Sequence, residues 1–161
     1  VGEKTLKLNS LKRVQKIDAP IDVVWEFVST PVNLSTITPD WLNFQIVSSL
    51  SKRMYEGMIV EYRVTPMLNI KFKWITEITH VKDYEFFVDE QRFGPYKFWH
   101  HKHFFKKLDE KSIEMTDEVH YILPFDIFNT LNNLYIARKL EKIFEYRYKK
   151  IESIFNKKGR R

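Results

Sequence analysis

The chain has 161 residues, 43% hydrophobic and 16% aromatic, with no cysteine and a formal net charge of +6. That length fits one domain with ample material for a core, and the absence of cysteine excludes disulfides and thiolate metal sites and points to a reducing, cytoplasmic setting. No apolar run reaches the ~18 residues of a membrane span, and the opening VGEKTLKLNS holds no signal-like apolar segment.

The positive excess is local. Residues 138–161 hold ten Lys or Arg against three Glu, and the rest of the chain is close to balance. A solvated helix face, complementing the negative helix C-terminus, accounts for it. The alternative is a patch for RNA or anionic lipid. No zinc-ligand spacing, RNA-binding strand motif or glycine-rich loop supports that alternative, so neither nucleic acid nor membrane insertion is expected. Residues 157–161 lie beyond the last apolar helix position. They read as a disordered, dispensable tail on a single domain spanning 1–156.

In chain order, residues 11–17 read as a strand. Asp18-Ala19-Pro20 opens a helix whose Val24, Phe27 and Val28 lie at helical spacing. A short helical segment at 32–37 ends at Thr38-Pro39-Asp40-Trp41. Six strands follow, at 44–49, 58–65, 69–80, 84–92, 97–107 and 112–123. The breaks between them are short, so neighbours should pair as antiparallel hairpins. From 126 to 155 the period changes. Ile127, Leu131, Leu134, Leu140, Phe144, Tyr148, Ile151 and Phe155 predict a helix about 45 Å long, with Asp126 as its N-cap. The expected fold is α+β, an antiparallel sheet wrapped around a long C-terminal helix.

Short loops fix the expected register. The last hairpin pairs Trp99 with Tyr121, His101 with Val119, His103 with Asp117 and Phe105 with Met115. The hairpin before it pairs Phe87 with His103, Asp89 with His101 and Gln91 with Trp99. The next places Thr76 beside Asp89 and Trp74 beside Gln91. One face then carries Lys and Glu, including Lys73, Glu77, Lys102 and Glu118, and faces water. The other mixes Phe72, Trp74, Ile78, Phe87, Trp99, Phe105 and Tyr121 with Asp89, Gln91, His101, His103 and Asp117. Phe86 and Val88 fall on the watery face, which argues for a one-residue slip there, and a bulge near Gly94 would cause one.

Buried polar groups need partners. Either the His and Asp side chains satisfy each other inside a packed domain, or they line a cavity with apolar walls and a few convergent polar groups. The candidate cavity residues are Tyr62, Trp74, Thr76, Phe87, Asp89, Gln91, Trp99, His101, His103, Asp117 and Tyr121, with Leu134 from the helix.

The chain also resembles the START-like, or SRPBCC, superfamily, the helix-grip proteins that include the birch-pollen allergen. The matching text is Ile17-Asp18-Ala19-Pro20 before Val24-Trp25, Asn33-Leu34 and Ile37-Thr38-Pro39. It continues with Phe87 to Gln91, Gly94-Pro95-Tyr96, the run Trp99, His101, His103, Phe105, and its partner Met115, Asp117, Val119, Tyr121. Leu123-Pro124-Phe125 and Phe144-Glu145-Tyr146-Arg147 close it. The text is similar to a bacterial subgroup described as ligand-binding or cell-division-inhibitor-like. The sequence departs from it at Phe125-Asp126, where similar sequences have Phe-Gly. The resemblance implies a helix-grip fold holding lipids, sterols, polyketides or hormones between sheet and helix. Some superfamily members are cyclases, hydrolases or chaperone activators, so the chemistry stays open.

No nucleophile elbow, zinc-protease motif, phosphate loop or dinucleotide fingerprint occurs. His101 and His103 share a face and could chelate with Asp89 or Asp117, but the aromatic neighbours favour a hydrogen-bonded His–Asp pair over a metal site. No metal or cofactor is expected. The leading expectation is a binding module for a small apolar or amphipathic molecule. The alternative is a cyclase, dehydratase or hydrolase using His103 and Asp117 as acid–base groups in the same cavity. A third reading is an interaction protein using the basic last helix.

Overall fold

The structure is a computed structural model that describes residues 6–49, 51–67, 70–123 and 130–156. Strand β1 (Asn9–Ile17) alternates inward Leu11, Gln15 and Ile17 with outward Lys12 and Lys16. Helix α1 (Ile21–Val28) follows Pro20, has Asp22 in its first turn and buries Val24 and Trp25. Pro31 bars its continuation, and the chain passes into two 3-10 turns, Pro31–Ile37 and Asp40–Leu42. The second turn has no counterpart in the expected elements.

The remaining strands are β2 (Gln45–Ile46), β3 (Met58–Met67), β4 (Ile70–Lys82), β5 (Phe86–Phe93), β6 (Phe98–Asp109) and β7 (Ser112–Ile122). They form one antiparallel sheet in the order β1-β7-β6-β5-β4-β3-β2. Helix α2 (Thr130–Phe155) lies against its concave face. Its expected N-cap, Asp126, and the tail at 157–161 lie outside the described residues.

Two hairpins have the expected register. β6 and β7 pair Trp99 with Tyr121, His103 with Asp117 and Phe105 with Met115. β5 and β6 pair Phe87 with His103 and Asp89 with His101, although this ladder ends at Glu90 and His100, short of Gln91 and Trp99. β4 and β5 differ. Thr76 lies opposite Gln91, and Ile78 opposite Asp89. The turn falls at residues 83–85, with Tyr84 at φ 65, and the ladder is bulged between Ile78 and His80. Between Thr76 and Ile78 the displacement is by two positions, so those side chains keep their face, whereas past the bulge it is by three and Val81 comes opposite the inward Phe87. No slip occurs in β5: Phe86 and Val88 do face outward, where the Phe86 ring lies 6.2 Å from that of Phe104.

The interior is divided into three apolar clusters. One surrounds Trp25, which meets Phe105 and Phe87 edge-on at centroid distances of 5.3 and 6.2 Å. A second joins Tyr96, Trp99, Val119 and Tyr121 to Ile136, Leu140 and Phe144 of α2. The third is Met58, Val60, Tyr62, Val64 and Ile78. The end of α2 is fastened to the sheet. Asn156 Nδ2 donates to the Lys16 carbonyl at 3.0 Å, and its Oδ1 accepts from the Asp18 backbone N–H at 2.8 Å. Gln15 Nε2 donates to the Tyr148 carbonyl at 3.0 Å.

Candidate functional site: a cavity with a buried ion-pair ring

Between the three clusters lies a cavity of about 160 Å³. That is the order of size of an engineered apolar cavity, about 150 Å³, that admits a benzene ring. Its walls come from the inner faces of β3 to β7, the last turn of α1, the two 3-10 turns and the inner face of α2.

Among the polar side chains of the wall, four form a ring. Each imidazole lies between both carboxylates. His101 Nε2 is 3.0 Å from Asp117 Oδ1, and its Nδ1 is 3.3 Å from Asp89 Oδ2. His103 Nε2 is 2.9 Å from Asp89 Oδ2, and its Nδ1 is 2.8 Å from Asp117 Oδ1. The two imidazoles overlap at a centroid distance of 3.7 Å, and Phe87 stacks on His103 at 3.9 Å. Trp99 Nε1 donates to Asp89 Oδ1 at 3.1 Å. Register brings these four side chains together. The β6 residues two apart share a face, and the pairings of β5 and β7 bring Asp89 and Asp117 to either side.

The electrostatics favour the charged forms of His101, Asp89 and Asp117. Burial pushes the His101 cation down, but the Asp89 charge and hydrogen bonds with Asp117 and Asp89 outweigh it and raise its pKa above 6.5. Burial also pushes both carboxyls up, and the two histidines outweigh it, holding Asp89 and Asp117 well below the usual carboxylate range. Mutual pairing of the two imidazoles and the two carboxylates is what makes their joint burial tolerable.

Asp89, His101 and His103 also offer metal-ligand atoms within 4.8 Å of one another. Two His and one carboxylate is a known metal set. Yet imidazole lone pairs lie in the ring plane, and these rings are tilted by only 38° while overlapping. Each Nε2 is hydrogen-bonded to a carboxylate, and a shared ion would have to displace those bonds. The arrangement fits an ion-pair ring better than a metal centre.

Nine of the twelve expected cavity residues line the cavity: Tyr62, Trp74, Thr76, Phe87, Asp89, Trp99, His101, His103 and Asp117. Three do not. The Gln91 amide is occupied by the Tyr96 backbone, donating to its carbonyl at 2.6 Å and accepting from its N–H at 3.3 Å. The Tyr121 ring is buried in the second cluster, edge-on to Tyr96. Leu134 is 46% exposed. The buried stride of α2 is Ile136, Leu140, Phe144 and Ile151, and Leu134 lies about 120° around the helix from Leu140 at 100° per residue. Leu131, assigned to the same stripe, is also exposed.

Sequence reasoning missed several lining residues, among them Leu34, Leu42, Phe44, Tyr96 and Arg147. For Arg147 a signal existed. It stands three residues after Phe144 and four before Ile151, where an arginine interrupts an apolar stride.

No family model and no curated protein sequence matches the chain. Solved structures do. An aromatase/cyclase, Zhui from Streptomyces sp. R1128, superposes with a TM-score of 0.72 at 11% identity over 90% of this chain and 92% of that one. Norcoclaurine synthase from Thalictrum flavum, in complex with dopamine and hydroxybenzaldehyde, gives 0.61 at 12% identity over 89% and 86%. A START superfamily protein from Mycobacterium smegmatis gives 0.60 at 10% over 90% and 98%. With its curved seven-stranded sheet and long C-terminal helix, the chain has the helix-grip fold of the START-like superfamily.

Proposed function

We propose that the protein binds a small apolar or amphipathic molecule in the cavity between the sheet and α2. The observation that carries this reading is the cavity itself. It is bounded largely by aromatic and aliphatic side chains, with its carboxylates and imidazoles gathered in one ring. A cavity in a core costs stability roughly in proportion to its volume, and a ligand that fills it recovers those contacts. The structurally similar norcoclaurine synthase, with two small aromatic molecules bound, is consistent with an occupant of that class.

Catalysis by the His–Asp ring is the second reading, and the names of the aromatase/cyclase and the synthase favour it. A general base needs a lone pair facing its substrate. Here all four imidazole nitrogens lie 2.8–3.3 Å from carboxylate oxygens, and each Nε2 is hydrogen-bonded to one, which supports carriage over catalysis. Among the described residues no helix is long and apolar enough to cross a membrane. A soluble cytoplasmic carrier of a small molecule is the proposed setting.

Native mass spectrometry of protein purified from its own host tests the choice. One unreacted small molecule retained at unit stoichiometry is the expected result. A mixture of precursor and product would move the assignment to catalysis. Bare chain that also takes up no apolar probe would overturn both.

A further inference from the structure

Two cavity-lining side chains carry a buried polar atom with no hydrogen-bond partner, Nε1 of Trp74 and Nε of Arg147. Both atoms are donors. The carboxylates in the same wall are engaged elsewhere, Asp89 by His101, His103 and Trp99, and Asp117 by the two histidines. Arg147 forms no ion pair with any described residue. Its guanidinium lies over the Phe144 ring, 5.1 Å from the centroid, which seats the planar fork against the inner face of α2. Its charge reaches the opposite wall: burial pushes the Tyr62 hydroxyl up, and Arg147 is among the influences opposing that rise.

A half-buried cation with an unmet donor is a standing cost. The His and Asp side chains of the ring engage one another and leave Arg147 out. We propose that Arg147 receives a carboxylate carried by the bound molecule, whose apolar remainder fills the aromatic and aliphatic part of the cavity. A guanidinium fork matches a carboxylate in two parallel hydrogen bonds. A phosphate fits less well, because its second negative charge would enter a wall that already holds Asp89 and Asp117.

The ligand class named here rests on the cavity-binding reading, and octanoate and octan-1-ol separate the two. They share a chain and differ in the head group. Both are titrated at neutral pH into wild-type protein, with fluorescence of the cavity-lining Trp74 and Trp99 as the signal. Wild type is expected to bind octanoate about tenfold or more tighter than octanol, the scale of a charged hydrogen bond. Arg147→Gln is expected to erase that preference and keep octanol affinity. Arg147→Lys, which keeps the charge and loses the fork, is expected to fall between. Equal binding of both probes by wild type, or a preference that survives Arg147→Gln in folded protein, overturns the carboxylate assignment and leaves cavity binding standing. Wild type that takes up neither probe overturns cavity binding, and the carboxylate assignment with it.

Discussion

The inner face of β5 to β7 is built in two ways within two residues of one another. Beneath α1, Phe105 and Met115 pair across the strands in the apolar cluster around Trp25. One inward step along the same strands, His103 faces Asp117, and the wall opens on the cavity. The first region spends its volume on contact. The second holds charge and space, and is tolerable because its imidazoles and carboxylates pair with one another. Stability and binding are thus separated along single strands, and substitutions should divide accordingly.

The largest expected effect lies at the packed end. Trp25→Ala removes the ring that joins α1 to Phe87 and Phe105 and is expected to cost about 4 kcal/mol, read as a shift in urea midpoint. A cost below that of any substitution in the ring would break the comparison. Asp117→Asn comes next. It leaves two imidazoles with one carboxylate and is expected to cost about 3 kcal/mol. Stability retained with altered ligand affinity would instead mark Asp117 as a ligand contact.

The third effect is a pH dependence confined to the ring. His101 is raised in the fold, so its contribution is fully present below its ordinary value of 6.5 and is lost as pH rises through the raised one. Asp89 and Asp117 are held low, so theirs is present above 3.8 and is lost as pH falls toward their depressed values. Urea midpoints across pH should therefore peak in the mildly acidic range between those windows. Trp25→Ala should lower that curve without reshaping it, and His101→Phe should flatten its alkaline side. The smallest effect is expected at Gly94→Ala, where an added Cβ would come 2.4 Å from Gln91 Oε1 and 2.8 Å from the Trp74 ring. The brace on Tyr96 must shift, at about 2 kcal/mol, with weaker probe binding as Trp74 moves.

Register explains why much of this was legible in the sequence. The hairpins at Gly94-Pro95 and Asp109-Glu110 have marked turns, so pairing by arithmetic placed His101, His103, Asp89 and Asp117 together. The β4–β5 turn has no Gly or Pro and holds Tyr84 at φ 65, and its bulge leaves no trace in composition, so that register came out two or three positions away. Leu134 failed for another reason: an apolar stripe on a helix can be traced through two phases, and only packing selects between them. The closed ring was not legible as a ring, because pairing gives neighbours and not which nitrogen meets which oxygen. Arg147 was passed over because an arginine near the end of a basic helix reads as solvated surface.

The strand order carries a consequence for how the molecule is made. From β2 to β7 each strand pairs with the next in the chain, so the meander can zip hairpin by hairpin. β1 alone departs from this: Asn9 pairs with Tyr121 and Ile17 with Ile113, at the far end of the sequence. During synthesis β1 emerges first and waits for the last strand, with α2 still to follow and clip onto it through Asn156. Long-range closure of that kind is the slow part of folding, and the waiting strand is an open edge. The exposed Lys12 and Lys16 on this strand are the kind of residue that blunts an open edge against pairing with a neighbouring chain.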